Sequence, residues 1–317
     1  MASKKTKVQA VSNQSRNAAQ KGGSTVQPEP PRVSGRWLLG AIAITIAAAV
    51  LCGWSALCLL FWQGSWQLLY HPVTAIVHTP ASAGVAFDSI GFAATDDGVP
   101  RLKGWWVSAA SGAASSHYTM IYLHSQNGNI GDSVDAITRL HAAGVNVLAF
   151  DYRGYGQSQF ERPSEANWRQ DTEWALQYLM ATRHIGANTI VLDGTGLGAN
   201  LALELAAAHP ELAGVVLDSP IDAPMDTVFS DARARLVPAR LLVRDRYALT
   251  EPAAALHIPA LWFERISTPG LGGGPAEPEA FTKIGARKML VWLDSSKDAN
   301  QQLRDAFSRW LDDLPPR

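Results

Sequence analysis

Cysteine is nearly absent. The 317 residues contain two, Cys52 and Cys58, and none follows position 58. That excludes a disulfide scaffold in the C-terminal part, and leaves an oxidising compartment permitted but not shown. Charge is missing altogether from Trp37 to Trp62, and the whole chain carries a net charge of only −1. A globally basic nucleic-acid-binding surface is therefore excluded, and no nucleic-acid partner is expected. Histidine is sparse too: there are eight, and none follows His257. No Cys, His, Asp or Glu set has metal-ligand spacing and no cofactor signature is present, so neither a metal nor a cofactor is expected.

The charge that is present is uneven. Residues 1–36 hold Lys4, Lys5, Lys7, Arg16, Lys21, Arg32 and Arg36 against one acid, Glu29, so this tail is +6 and the remainder −7. Being rich in Ser, Gln, Asn, Gly and Pro, the tail has too little apolar surface to offset its ordering entropy and is expected to be disordered. The uncharged run 37–62, WLLGAIAITIAAAVLCGWSALCLLFW, can span a ~30 Å hydrocarbon core at ~1.5 Å per residue. Trp37 at one end and Phe61, Trp62, Trp66 and Tyr70 at the other stand where interfacial aromatics anchor. The expectation is a single-pass helix in an inner or plasma membrane, with the basic tail cytoplasmic and the C-terminal part extracytoplasmic. A cleaved signal peptide is the competing reading. The run exceeds a ~7–15-residue signal core, however, and no small-x-small site follows. Leu51 and Leu57 precede the cysteines where a lipoprotein site needs a small residue.

Residues 63–82 read as a connector and 83–317 as one domain. Strand-like runs at Val85–Ala94 and Leu102–Ser108 form a pair across the turn Asp96-Asp97-Gly98. Further strands are expected at Tyr118–Leu123, Val145–Phe150, Ile190–Leu192, Gly214–Leu217, Ala260–Phe263 and Met289–Leu293. Helices are expected at Ile130–Ala143, Glu165–Thr182, Leu197–Ala208 and Asp298–Leu311. This alternation predicts an α/β fold, a mostly parallel sheet with helices on both faces. Trp105 and Trp106 adjoin on a strand and face opposite ways, which places one of them in the core.

The run TIVLDGTGLGANLAL, Thr189–Leu203, is a strand, a glycine turn and a helix. Gly194-x-Gly196-x-Gly198 lacks the spacing of a dinucleotide loop. It does match the layout of the G-x-S-x-G nucleophile elbow, with glycine where the serine stands. Four more motifs follow the same order: His124-Ser125-Gln126-Asn127-Gly128-Asn129, Asp151-Tyr152-Arg153-Gly154-Tyr155-Gly156, Pro163-Ser164-Glu165 and Asp218-Ser219-Pro220. Together they resemble the membrane-anchored branch of the serine α/β-hydrolases, over roughly Phe87 to Leu311.

The resemblance implies a triad in the chain order Ser, Asp/Glu, His. The nucleophile position is Gly196, which has no side chain to attack a carbonyl. Thr195 stands one residue off register, and its side chain is expected to point away from the cleft. The acid pattern Pro-Val-Leu-x-x-His-Gly-x-x-Asp reads here Pro259-Ala-Leu-Trp-Phe-Glu264-Arg265-Ile-Ser-Thr268, which puts Thr268 at the acid. After the last strand, where the histidine belongs, stands Asp294-Ser-Ser-Lys-Asp298, and Asp298 takes the base position. Glu277 and Glu279 read as solvated loop charges, and His257 as a cap or packing residue.

Backbone donors survive such losses. The resemblance implies an oxyanion hole from the Leu197 N–H and a second N–H from Ser125 or Gln126, able to hold a small acyl or carboxylate ligand. Asp151, Tyr152 and Arg153 either line the entrance or hold the loop. Ser219–Leu256 stands where a lid is inserted, and its Arg240–Arg246 stretch faces either anionic headgroups or water. Two functions follow: a catalytically degenerate hydrolase that binds a ligand or protein partner, or an active esterase or lipase acting on acyl esters through substitute residues.

Overall fold

The computed structural model describes residues 34–266, 276–294 and 298–314. Contacts divide the chain into two units, 1–52 and 53–317. The expected apolar helix, α1, runs from Gly35 to Gly64 and is long and apolar enough to cross a membrane. Only Phe61 within it is buried.

The second unit contains β1 (His71–Pro72), β2 (Asp88–Ala94), β3 (Pro100–Val107), β4 (Thr119–Leu123), β5 (Asn127–Gly128), α2 (Val134–Ala142), β6 (Asn146–Asp151), α3 (Glu165–Gln177), β7 (Ile190–Thr195), α4 (Leu197–Ala208) and β8 (Gly214–Asp218). Three short helices follow, α5 (Asp226–Phe229), α6 (Ala239–Leu242) and α7 (Thr250–Ala255). The chain closes with β9 (Ala260–Arg265), α8 (Glu279–Lys283), β10 (Lys288–Leu293) and α9 (Ala299–Asp312). Eight strands form one sheet in the order β2-β3-β6-β4-β7-β8-β9-β10. Strand β3 runs antiparallel to both neighbours, and the other pairs are parallel.

Period-two alternation feeds two core layers. In β4, Ile121 and Leu123 enter the layer that holds Trp168 of α3 and Leu201 of α4. Met120 and Tyr122 enter the layer of Ile137 from α2 and Phe307 from α9. Burial on both faces explains why these strands are continuously apolar. Trp105 and Trp106 correct the sequence reading: both are buried, one in each layer, because β3 is an interior strand.

The segment read as a connector is built into this unit. Strand β1 pairs with β5, and Leu69 and Tyr70 are buried. The Tyr70 hydroxyl donates to Asp245 Oδ2 at 2.7 Å. The helix expected over Glu165–Thr182 ends at Gln177 and continues as one π turn over Tyr178–Thr182. Within 219–256 no long helix forms. Glu165, on α3, accepts the N–H groups of Arg246 (2.6 Å) and Tyr247 (3.0 Å), and Asn200, on α4, bonds both Ile221 and Tyr247. Tertiary bonds set this path.

Candidate active site

Register brings the parts together. Thr195 of β7 pairs with Asp218 of β8, Asp218 with Phe263 of β9, and Arg265 with Leu293 of β10. The carboxyl ends of these strands therefore share one edge of the sheet, where open α/β sheets bind ligands. Gly196 is at this edge. Thr268 lies outside the described residues. Asp298 is a helix cap: its Oδ1 accepts the N–H groups of Asn300 (2.9 Å) and Gln301 (3.3 Å) at the start of α9.

The elbow is formed. Gly196 has φ 59° and ψ −125°, and its N–H donates to the Asp218 carbonyl at 3.0 Å. A Cβ at Gly194 would strike the Gly198 carbonyl, and one at Gly198 would strike the carbonyls of Leu123 and His124. A Cβ at Gly196 would lie 3.1 Å from Gln126 Oε1 and 3.3 Å from Ser125 Cβ. Gly196→Ser should therefore fold but lose about 1–3 kcal/mol, from the positive φ. Chemical denaturation measures this, and an unchanged midpoint would contradict a strained elbow. The Thr195 hydroxyl stands 3.4 Å from the Tyr122 hydroxyl.

The oxyanion site departs from the expectation in one respect. The loop carrying Ser125 and Gln126 lies against the elbow, and the Gln126 carbonyl accepts His71 N–H (2.9 Å) and the Tyr155 hydroxyl (2.8 Å). The Gln126 N–H makes no hydrogen bond among the described residues, as a second donor requires. The Leu197 N–H, however, donates to Gln126 Oε1 at 3.3 Å. The site holds its own amide oxygen where a ligand oxygen was expected. Sequence reasoning valued Gln126 only for its backbone, and the signal it missed was an acceptor side chain at a position of backbone donors. Ser125 Oγ bonds within its own loop, to Asn127.

No histidine occupies the turns that leave β7, β8, β9 or β10. His124 follows β4, but its ring is buried against Tyr152 (4.5 Å) and Tyr155 (5.3 Å). Its Nδ1 meets the Ser125 carbonyl at 2.8 Å, which leaves Nε2 a lone pair 3.6 Å from Asp151 Oδ1. Asp218 at the edge accepts the Ser219 hydroxyl (2.9 Å) and Arg265 Nη2 (3.3 Å). Ser219 has φ 52°. Arg265, at the end of β9, thus holds the carboxylate that ends the neighbouring strand β8. Arg153 holds structure rather than an entrance: it is buried and bonds Asp171 (2.6 Å) and Glu161 (2.8 Å). Asp151 and Tyr152 are buried with it. Among the described residues no three His, Cys, Asp or Glu side chains are grouped to hold a metal ion.

Burial moves several of these groups. Desolvation lifts Asp151 and Asp193 to about 7 and drops His124 to about 4. A carboxyl raised on folding stabilises the fold fully below its unfolded value of ~3.9, and this contribution disappears as pH rises through 7. The histidine acts oppositely: its contribution is full above ~6.5 and is lost as pH falls through 4. Between pH 6 and 8 the carboxyls dominate. The protein should be less stable at pH 8 than at pH 6, by roughly 1 kcal/mol per group. Asp193→Asn should flatten part of this slope in denaturant titrations at the two pH values. A wild type more stable at pH 8 would contradict the assignment.

Comparison with known proteins places this geometry. A family profile described as "Serine aminopeptidase, S33" matches residues 114–257. An uncharacterized protein of Mycobacterium tuberculosis is 31% identical over 222 residues, covering 69% of this chain and 75% of that one. The uncharacterized protein YfhR of Salmonella typhi is 29% identical over 197 residues, covering 58% and 63%. Among solved structures, an esterase of Pyrococcus furiosus superposes with a TM-score of 0.57 at 18% identity, over 77% of this chain and 98% of the esterase. An alpha-beta hydrolase of Vibrio vulnificus gives 0.52 at 16%, over 74% and 82%.

Proposed function

The chain belongs to the α/β-hydrolase superfamily, and from that premise we propose that it is a membrane-anchored member that has lost acyl transfer and acts as a binding or scaffold module. One observation carries this reading. The elbow tip is Gly196, with no side chain to attack, and the adjacent donor, Leu197 N–H, is taken by Gln126 Oε1. The lack of an imidazole in the surrounding turns agrees. In a triad the members act as a unit, and losing the nucleophile or base costs ~10⁶-fold in kcat. What remains is the Gln126 N–H, joined by the Leu197 N–H when a small acyl or carboxylate ligand displaces Gln126 Oε1. Helix α1 supports the anchor, with the basic tail on the cytoplasmic side and the sheet domain outside.

The test is turnover of short- and medium-chain p-nitrophenyl esters by the full chain in detergent. The expected rate equals that of buffer with detergent alone. The active-esterase reading has one observation in its favour: the hydroxyls of Ser219 and Thr195 lie at the same sheet edge. Turnover abolished by Ser219→Ala or Thr195→Ala would establish that reading and reject ours.

A further inference from the structure

A large cavity lies away from the elbow. Its volume is about 710 Å³, and none of Ser125, Gln126, Thr195, Gly196 or Leu197 lines it. That size falls within the ~300–1,000 Å³ of ligand pockets. One wall is Leu59 and Trp62 from the last turns of α1 and Trp66 just beyond. The facing wall is Met225, Val228 and Leu242 from the segment in the lid position.

The cavity has a charged end. Arg162, Arg244 and Asp245 line it. Asp245 is already satisfied, since its oxygens accept the Tyr70 hydroxyl (2.7 Å) and the Glu165 N–H (3.3 Å). Arg162 spends one nitrogen on the Trp62 carbonyl (2.7 Å), with its guanidinium over the Trp62 ring. Arg244 is exposed and has no hydrogen bond or ion pair among the described residues. The end therefore carries two cations against one occupied carboxylate.

Leu241, which lines the cavity, is 81% exposed, and Leu236, outside the lining, is 61% exposed. Leu236 lies against α1, where its carbonyl accepts the Trp54 indole N–H at 3.1 Å. Exposed leucines beside an apolar helix expect hydrocarbon rather than water.

We propose that this cavity binds one acyl chain of an anionic membrane amphiphile, with Arg244 and Arg162 meeting its headgroup. The chain lies between α1 and Met225, Val228 and Leu242. This inference rests on reading α1 as a membrane anchor, but not on whether the elbow is inactive.

Native mass spectrometry of the full chain, extracted in mild detergent, tests it. Three probes are added separately: palmitoyl-oleoyl phosphatidylglycerol, phosphatidylcholine with the same chains, and oleate. The expected result is one retained phosphatidylglycerol or oleate per protein, at least tenfold above phosphatidylcholine. Which of the two is retained identifies the headgroup as phosphate or carboxylate. Val228→Trp, which fills the cavity, should cut retention at least tenfold. Leu242→Trp does the same from the other side, should the first variant fold poorly. Arg244→Glu should remove the preference for anions. Equal retention of all three probes, unmoved by the variants, overturns the proposal. Carbonate-washed membranes separate the two readings. A chain that stays in the pellet but retains no amphiphile overturns the site alone, whereas a chain released by carbonate overturns both anchor and site.

Discussion

Alanine at position 153 is expected to destabilise the protein by about 3–5 kcal/mol, the cost of breaking a buried ion pair from one side. Arg153 is 4% exposed and Asp171 is fully buried. The guanidinium bonds Asp171 Oδ1 at 2.6 Å, Glu161 at 2.8 Å and Gln170 at 2.9 Å, and lies 4.8 Å from the Trp174 ring. Even with this partner, desolvation holds Asp171 raised, at about 6. Without it the carboxyl rises further and can stay buried only as the neutral acid. The loss should therefore be largest above pH 6 and smaller in acid. Arg153→Lys should recover only part, because an ammonium cannot reach Asp171, Glu161 and Gln170 together. Denaturant titration of the full chain at pH 5 and pH 8 checks this. A loss under 1 kcal/mol at both values would mean that the network is not a keystone of the fold.

The second large effect concerns the elbow. Gln126→Ala frees the Leu197 N–H beside the already free Gln126 N–H. A hydrogen bond to a charged acceptor contributes about 1.5–3 kcal/mol, so carboxylate affinity should rise roughly 10- to 150-fold. Octanoate is a suitable probe, followed by ligand-observed magnetic resonance. Gln126→Glu provides the opposing control. Its carboxylate keeps the Leu197 contact and places a negative charge in the hole, so octanoate binding should vanish. Equal affinity in wild type and both variants would show that ligands do not use these donors.

Features that depend on local geometry were legible in the sequence. The elbow shows because a β-branched run, three glycines and an Ala/Leu helix each constrain the backbone within a few residues, and Gly196 lies at the φ that such a turn requires. A mostly parallel sheet was legible in the alternation, and the eight strands of the main sheet appear where strands were read, within a few residues, whereas the short strands β1 and β5 were not read. Features that depend on side-chain choice or distant partners were not legible. Gln126 could be read for its N–H but not for the rotamer that fills the hole. The Asp218–Arg265 pair depends on the register of β8 against β9. Asp298 stands in sequence where the resemblance expects a histidine, and its carboxylate caps α9. The path of 219–256 is set by Glu165 and Asn200 from helices distant in sequence, so its own pattern could not reveal it.

The most direct test of the central claim is covalent labelling of the full chain, in membranes, with a fluorophosphonate probe, which reports any activated serine irrespective of substrate. A functional hydrolase serves as the positive control in the same membranes. The account predicts no labelling, for wild type and for Gly196→Ser alike, because the base is missing as well as the nucleophile. Stoichiometric labelling of the wild type, mapped to Ser219, Ser125 or any other residue at the carboxyl edge of the sheet, would contradict it.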